Sequence, residues 1–175
     1  MSSKEEKMQS SSIDWKTWQP NMLSSLVFIL KDNEVLLIRK KTGLGAGKVN
    51  APGGKLEVDE SAEAAAIREV MEEVKLEVTN LKKMGILKFQ FLNGDKLALQ
   101  CTVFKTSTFC GEPEESLEAK PFWCDTNKIP YSEMWADDVI WLPGALEGNC
   151  FEGKFVFDGD EMVYEKVHWM DYNQF

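Results

Sequence analysis

Strand-like segments interspersed with two helical ones predict an α/β fold for this chain. Two observations carry the prediction. Short runs rich in Val, Ile, Leu and Phe, bounded by turn signals, recur between Leu23 and Val167. Among them, the segment Ala62 to Val74 spaces its apolar residues as a helix does. A chain of 175 residues fits one domain with a sizeable core.

Each element has its own signal. Residues 1–20 read as an N-terminal extension to a domain spanning 21–175. The first dozen are Ser-rich and charged, which predicts disorder, while Trp15 and Trp18 are expected to dock onto the domain. Leu23–Leu30 is a buried strand, Lys31-Asp32-Asn33-Glu34 a turn, and Val35–Arg39 the return strand. A Gly-rich loop runs from Gly43 to Gly47, and Val49 to Pro52 leads into Gly53-Gly54. Ser61 is placed to cap a helix over Ala62–Val74, with Ala66, Ile67, Val70 and Val74 as its core face. Strands are expected at Met84–Leu92, Lys96–Thr106 and Phe122–Cys124, with Asn93-Gly94-Asp95 as a hairpin turn. Trp135–Leu146 reads as a second helix containing Pro143. Phe151–Phe157 and Met162–Val167 flank a last hairpin signal, Asp158-Gly159-Asp160. No internal repeat is present.

Composition narrows the class. Hydrophobic content of 43% and charge of 28% are ordinary globular values. A net charge of −9 argues against a general nucleic-acid or anionic-membrane surface, but not against a nucleotide held by a metal and a few local cations. Cys101, Cys110, Cys124 and Cys150 form no CxxC pair and read as free thiols of a reducing cytosol. No run approaches a membrane span, and the N-terminus has no signal-peptide core. A cytoplasmic monomer is expected. His168, the lone histidine, is expected on a strand or the surface, so no histidine catalysis is predicted.

The chemistry lies in GKLEVDESAEAAAIREVMEEVKL, Gly54 to Leu76. Glu69, Glu72 and Glu73 stand at i, i+3 and i+4 and share one side of the helix. Mutually repelling acids there make sense around a divalent cation. Together with Gly54, Glu60 and Arg68 they resemble the Nudix box, with six of its seven fixed identities present. At background frequencies of roughly 5–7% per residue type, chance produces this about once in 10⁷ positions. Val70 and Leu76 fill the aliphatic slots, and Lys75 stands where the box has glycine, which puts the helix exit in question.

The resemblance implies an α/β/α sandwich with a mixed sheet and Mg²⁺-dependent hydrolysis of a nucleoside diphosphate derivative, with Mn²⁺ as a substitute. By position, Glu69, Glu72, Glu73 and the Gly53 carbonyl are the implied ligands. Glu118, in EAKPFW, is a further ligand, and the general base is Glu118 or one of the helix glutamates. Arg68 is expected to orient Glu69, Glu60 to pin the loop, and Lys55 to meet a phosphate.

The loop KKTGLGAGKVNAPGGK and the segment IPYSEMWADDVIWLP look like the oxidised purine nucleoside triphosphatases, the MutT-homologue branch of that family. The likeness implies a purine pocket made by Asn50, Trp135, Asp137, Asp138, Lys40 and Phe89. Leu44 and Ser25 replace the branch's phenylalanine and threonine in the lining. Two adjacent carboxylates disfavour double ionisation, so one donates while the other accepts. Trp141 is expected as a core or pocket-wall aromatic. The leading expectation is an enzyme that sanitises the nucleotide pool, converting substrates such as 8-oxo-dGTP and 2-hydroxy-dATP to the monophosphate and pyrophosphate. Alternatives are another Nudix substrate (a normal or methylated dNTP, a dinucleoside polyphosphate, an mRNA cap) or a catalytically silent nucleotide-binding module.

Overall fold

The structure, a computed structural model, describes residues 12–174, so the disorder expected at the N-terminus lies almost wholly outside the described residues. In chain order the elements are β1 (Met22–Lys31), β2 (Glu34–Lys40), β3 (Val49–Asn50), β4 (Gly53–Lys55), α1 (Ala62–Val74), β5 (Glu77–Thr79), β6 (Lys82–Phe91), β7 (Ala98–Thr106), β8 (Thr108–Cys110), β9 (Ala119–Asp125), α2 (Asp138–Leu146), β10 (Cys150–Asp158) and β11 (Glu161–Met170).

Nine strands form one sheet in the order β11-β10-β6-β7-β1-β2-β3, with β4 on β1 and β9 on β2. The pairs β1–β7 and β10–β6 are parallel and the others antiparallel, so the sheet is mixed. β5 and β8 pair apart from it. Side chains alternate across β1: Val27 and Ile29 pack under Ala66, Val70 and Val74 of α1. Phe28 points to the other face, where Trp141, Leu142 and Ala145 of α2 close the core over Phe151 and Phe155. Burial on both faces is why this central strand reads as a continuous apolar run. The result is the expected α/β/α sandwich.

Several boundaries differ from the sequence reading. Ile67 is 38% exposed and Ala65 is buried in its place. Both flank the stripe of Ala66, Val70 and Val74, and Ala65 lies on the side that carries Glu69 and Glu73 toward β4. β7 begins at Ala98 rather than Lys96, because Lys96 takes a left-handed backbone with φ 51° and donates its N–H to the Asn93 carbonyl. α2 begins at Asp138: Tyr131–Glu133 form a single 3₁₀ turn, and Trp135 to Asp137 lie between the two. His168 is exposed on β11. Among the described residues no helix is long and apolar enough to cross a membrane.

Lys75 does end α1 in the left-handed region, at φ 63° and ψ 26°, with its N–H bonded to the Met71 carbonyl. A side chain there costs about 1–2 kcal/mol relative to glycine. The ammonium partly offsets this by donating to the Glu72 carbonyl at 3.0 Å, on the negative end of the helix dipole.

Candidate active site

The site forms where β1 changes partners. Ile29 to Lys31 pair with β2, whereas Ser24 to Leu26 pair with β4. β4 brings Gly53 and Gly54 against α1. A Cβ on Gly53 would lie 2.0 Å from the Ser25 carbonyl oxygen, and one on Gly54 would lie 2.4 Å from the Glu69 carboxyl carbon. Gly53 requires glycine because backbone occupies the space, and at Gly54 a Cβ would displace the Glu69 carboxylate.

Ser61 caps α1 by accepting the Ala64 N–H at 3.1 Å. Arg68 is the hub of the loop that precedes the helix. Its Nε and Nη2 donate to the two Glu60 oxygens at 2.8 and 2.9 Å, a bidentate pair. Its Nη1 donates to Glu69 at 2.9 Å and Glu72 at 3.3 Å, and Nη2 also donates to the Lys55 carbonyl at 3.0 Å. Glu60 in turn accepts the Glu57 N–H at 2.9 Å. The Arg68 hydrogen bonds and the Glu57 N–H hold the Glu60 carboxyl below its ordinary value, and the same pairing raises Arg68 further.

The four predicted carboxylates differ in surroundings. Glu73 is 3% exposed and accepts the Gly53 N–H at 3.1 Å. Burial raises it to about 7. The Gly53 N–H and Lys40 pull it down, and the charges of Glu69 and Glu118 push it further up. Glu69, mostly buried, is raised by burial against the pull of Arg68. Glu72 faces solvent and Glu118 is exposed just before β9. Thus Glu69, Glu73 and Glu118 repel one another as neighbours, although no three His, Cys, Asp or Glu among the described residues converge as closed metal ligands. Hard oxygen donors whose charges burial and repulsion disfavour suit a divalent cation.

Beside Gly53, Gly54 and Lys55 opens a cavity of about 380 Å³. All eight residues predicted to bind substrate line it: Ser25, Lys40, Leu44, Asn50, Phe89, Trp135, Asp137 and Asp138. Asn50 uses its side-chain oxygen to accept the Ala51 N–H at 2.8 Å, so its amide N–H groups are left as donors. Asp137 and Asp138 are buried, at 1% and 3% exposure. The adjacent acids do not serve as a helix cap: Asp137 makes no capping bond and instead accepts the Trp141 indole N–H at 2.8 Å. Burial drives both carboxyls above their ordinary value. The Trp141 N–H favours the charged form of Asp137, while the charge of Asp137 pushes Asp138 further up. Asp137 Oδ1, Asp138 Oδ2 and Ser25 Oγ are buried without a hydrogen-bond partner. Three orphaned polar atoms in one cavity are costly unless something fills it.

Sequence reasoning missed part of this wall. Phe91 follows Phe89 by two residues on β6, so strand alternation places both on the pocket face. Cys101 also lines the cavity, and burial pushes its thiol up to about 12, which leaves it unreactive at neutral pH. Trp141 holds Asp137 four residues away, a spacing visible in the sequence once the helix start is known.

Comparisons with known proteins point the same way. A model of the NUDIX domain matches residues 20–144. The chain is 43% identical over 143 residues to an oxidized purine nucleoside triphosphate hydrolase from Danio rerio, covering 82% of this chain and 91% of that protein. The Mus musculus protein of the same name is 37% identical over 141 residues, covering 81% and 90%. In fold, a MutT protein from Bacillus halodurans superposes with a TM-score of 0.73 at 24% identity, over 83% of this chain and 97% of that one.

Proposed function

The chain belongs to the Nudix hydrolase family, and on that premise we propose that it hydrolyses oxidised purine nucleoside triphosphates to the monophosphate and pyrophosphate. The carrying observation is the continuity of the site. A cavity with three orphaned polar atoms and an indole opens onto Gly53 and Gly54, the glycines against which Glu73 and Glu69 pack.

In this reading the purine stacks on Trp135 and its edge satisfies Asp137, Asp138 and Ser25. Burial and mutual repulsion favour one protonated carboxyl of the two, so one accepts while the other donates, which suits the altered edges of 8-oxoguanine and 2-hydroxyadenine. The Asn50 amide donates to the base. Lys40 and Lys55 carry positive charge along the path from the base to the box and meet the phosphates. Nudix hydrolases generally need a divalent cation; Mg²⁺, or Mn²⁺ in its place, supplies charge neutralisation and a polarised phosphoryl group here. Glu69, Glu72, Glu73 and Glu118, with the Gly53 carbonyl, are the groups that would hold it. Arg68 keeps Glu69 aimed. One of these carboxylates takes the proton of the attacking water. The same reading has the protein acting on free nucleotides as a cytoplasmic monomer, without nucleic acid or membrane, in keeping with its net charge of −9.

Replacing Glu72 by Gln tests the assignment. Its side chain is half exposed, so the fold should survive while turnover is abolished. Near-normal turnover in that variant would sink the ligand set.

A further inference from the structure

The segment ahead of β1 is built onto the wall of the base pocket. The Asp14 carbonyl accepts the N–H groups of Thr17 and Trp18 at 3.1 and 3.0 Å, and its side chain accepts the Lys16 N–H at 3.0 Å. This single turn places Trp15 and Trp18 on one side, with ring centroids 5.5 Å apart. Trp15 stacks on Tyr164 of β11, 6.1 Å between centroids. Trp18 donates its indole N–H to the Gln90 side-chain oxygen at 2.9 Å. Three residues later, Asn21 makes a two-way bridge to Ala98: its N–H donates to the Ala98 carbonyl at 2.8 Å, and its side-chain oxygen accepts the Ala98 N–H at 2.9 Å.

Gln90 and Ala98 are register partners across β6 and β7, so these bonds close a ring. The chain from Trp18 through Pro20 to Asn21 forms one side of it. Pro20 stiffens that side by fixing its own φ. Gln90 then uses its amide to donate to the Phe91 carbonyl at 3.0 Å, and to those of Lys96 and Leu97 at 3.4 Å each. The ring therefore also holds the β6–β7 turn.

Three members of the ring, Gln90, Ala98 and Asn21, adjoin pocket residues. Gln90 lies between Phe89 and Phe91, Ala98 precedes Leu99, and Asn21 precedes Met22; all four of those neighbours line the cavity. Successive residues of a strand point to opposite faces, so a bond made outside sets the position of the side chain inside. We propose that residues 14–21 are a specificity-determining part of the nucleotide site, in which Trp18 and Asn21 are positioning residues that set the Phe89–Phe91–Leu99 wall against the base. The proposal rests on the cavity being the purine site. It adds a contribution from outside the catalytic core, through residues that touch no substrate.

The test uses the full chain with Mg²⁺ and an 8-oxopurine deoxynucleoside triphosphate. Replacing Trp18 by Ala should raise KM about fivefold, the factor carried by one net hydrogen bond, and narrow the preference over the unmodified nucleotide. Because no box residue moves, kcat should stay within about twofold. Asn21→Ala should do the same, while Asn21→Asp, which keeps the oxygen that accepts the Ala98 N–H, should restore KM. Amide exchange of residues 92–97 should quicken in Trp18→Ala and Asn21→Ala and return to the parent rate in Asn21→Asp. Faster exchange with KM unchanged overturns the proposal, as does a fall in kcat at constant KM. If Trp18→Ala fails to fold, the two Asn21 variants decide alone. A parent protein that turns over no purine nucleotide fails the functional reading instead, and the two failures are distinct.

Discussion

Replacing Gly54 by Ala should leave the fold standing and remove most of the activity. The added Cβ would sit 2.4 Å from the Glu69 carboxyl carbon and 2.6 and 2.7 Å from its oxygens, where ordinary contact begins at 3.4 Å. Glu69 must therefore retreat by about 1 Å. It is the far end of a flexible side chain, so the strain is small, about 1 kcal/mol. That corresponds to a fall in Tm of about 2–4 °C for a chain of this size. Retreat nevertheless pulls the carboxylate off Arg68, which holds it at 2.9 Å, and out of its place beside β4. Misplacing a catalytic group by about 1 Å costs about 10² in rate. Initial rates with an oxidised purine nucleotide and Mg²⁺, alongside thermal melts, separate the two effects. Full turnover in Gly54→Ala, or a loss of rate that merely tracks unfolding, contradicts the role of this glycine as space for Glu69.

The buried acids give a pH signature. Asp137 and Asp138 both titrate above their ordinary value of 3.8 in the fold, so their stabilising contribution is full below that value and is lost as pH rises through the raised values. Replacing Asp138 by Asn removes one of the two, so the variant should gain stability over the parent as pH rises above the ordinary carboxyl value of 3.8. A Tm difference that stays constant with pH in metal-free buffer counts against the pair. At the end of α1, Lys75→Gly should exceed Lys75→Ala in stability by about 1 kcal/mol, since only glycine relieves the left-handed strain. Chemical denaturation measures it, and equal midpoints would show that the strain is absent.

What was legible in the sequence follows physical range. The bounds of α1 could be read because their signals are local: Ser61 caps it, and Ala66, Val70 and Val74 recur at helical spacing. The wheel put Ile67 on the core face where the structure buries Ala65, because which flank is covered depends on β4. β3, β4, β5 and β8 have two or three residues each, too few for a period to show. Their pairing is imposed by the sheet. The box residues and pocket residues were named from motif resemblance, and the structure gathers the pocket set into one cavity. The ring through Trp18, Gln90, Ala98 and Asn21 was invisible, because its side-chain bonds span 72 and 77 residues and Gln90 looks like any polar strand residue.

The most direct measurement incubates the protein with Mg²⁺ and 8-oxo-dGTP, 2-hydroxy-dATP, O6-methyl-dGTP, dGTP and dATP, and follows kcat/KM and products. A preference of about tenfold or more for an oxidised purine, about 1.4 kcal/mol of transition-state binding, with pyrophosphate released, is the predicted result. Low and equal rates across all five, or release of inorganic phosphate, would contradict an oxidised-purine triphosphatase and leave only the family.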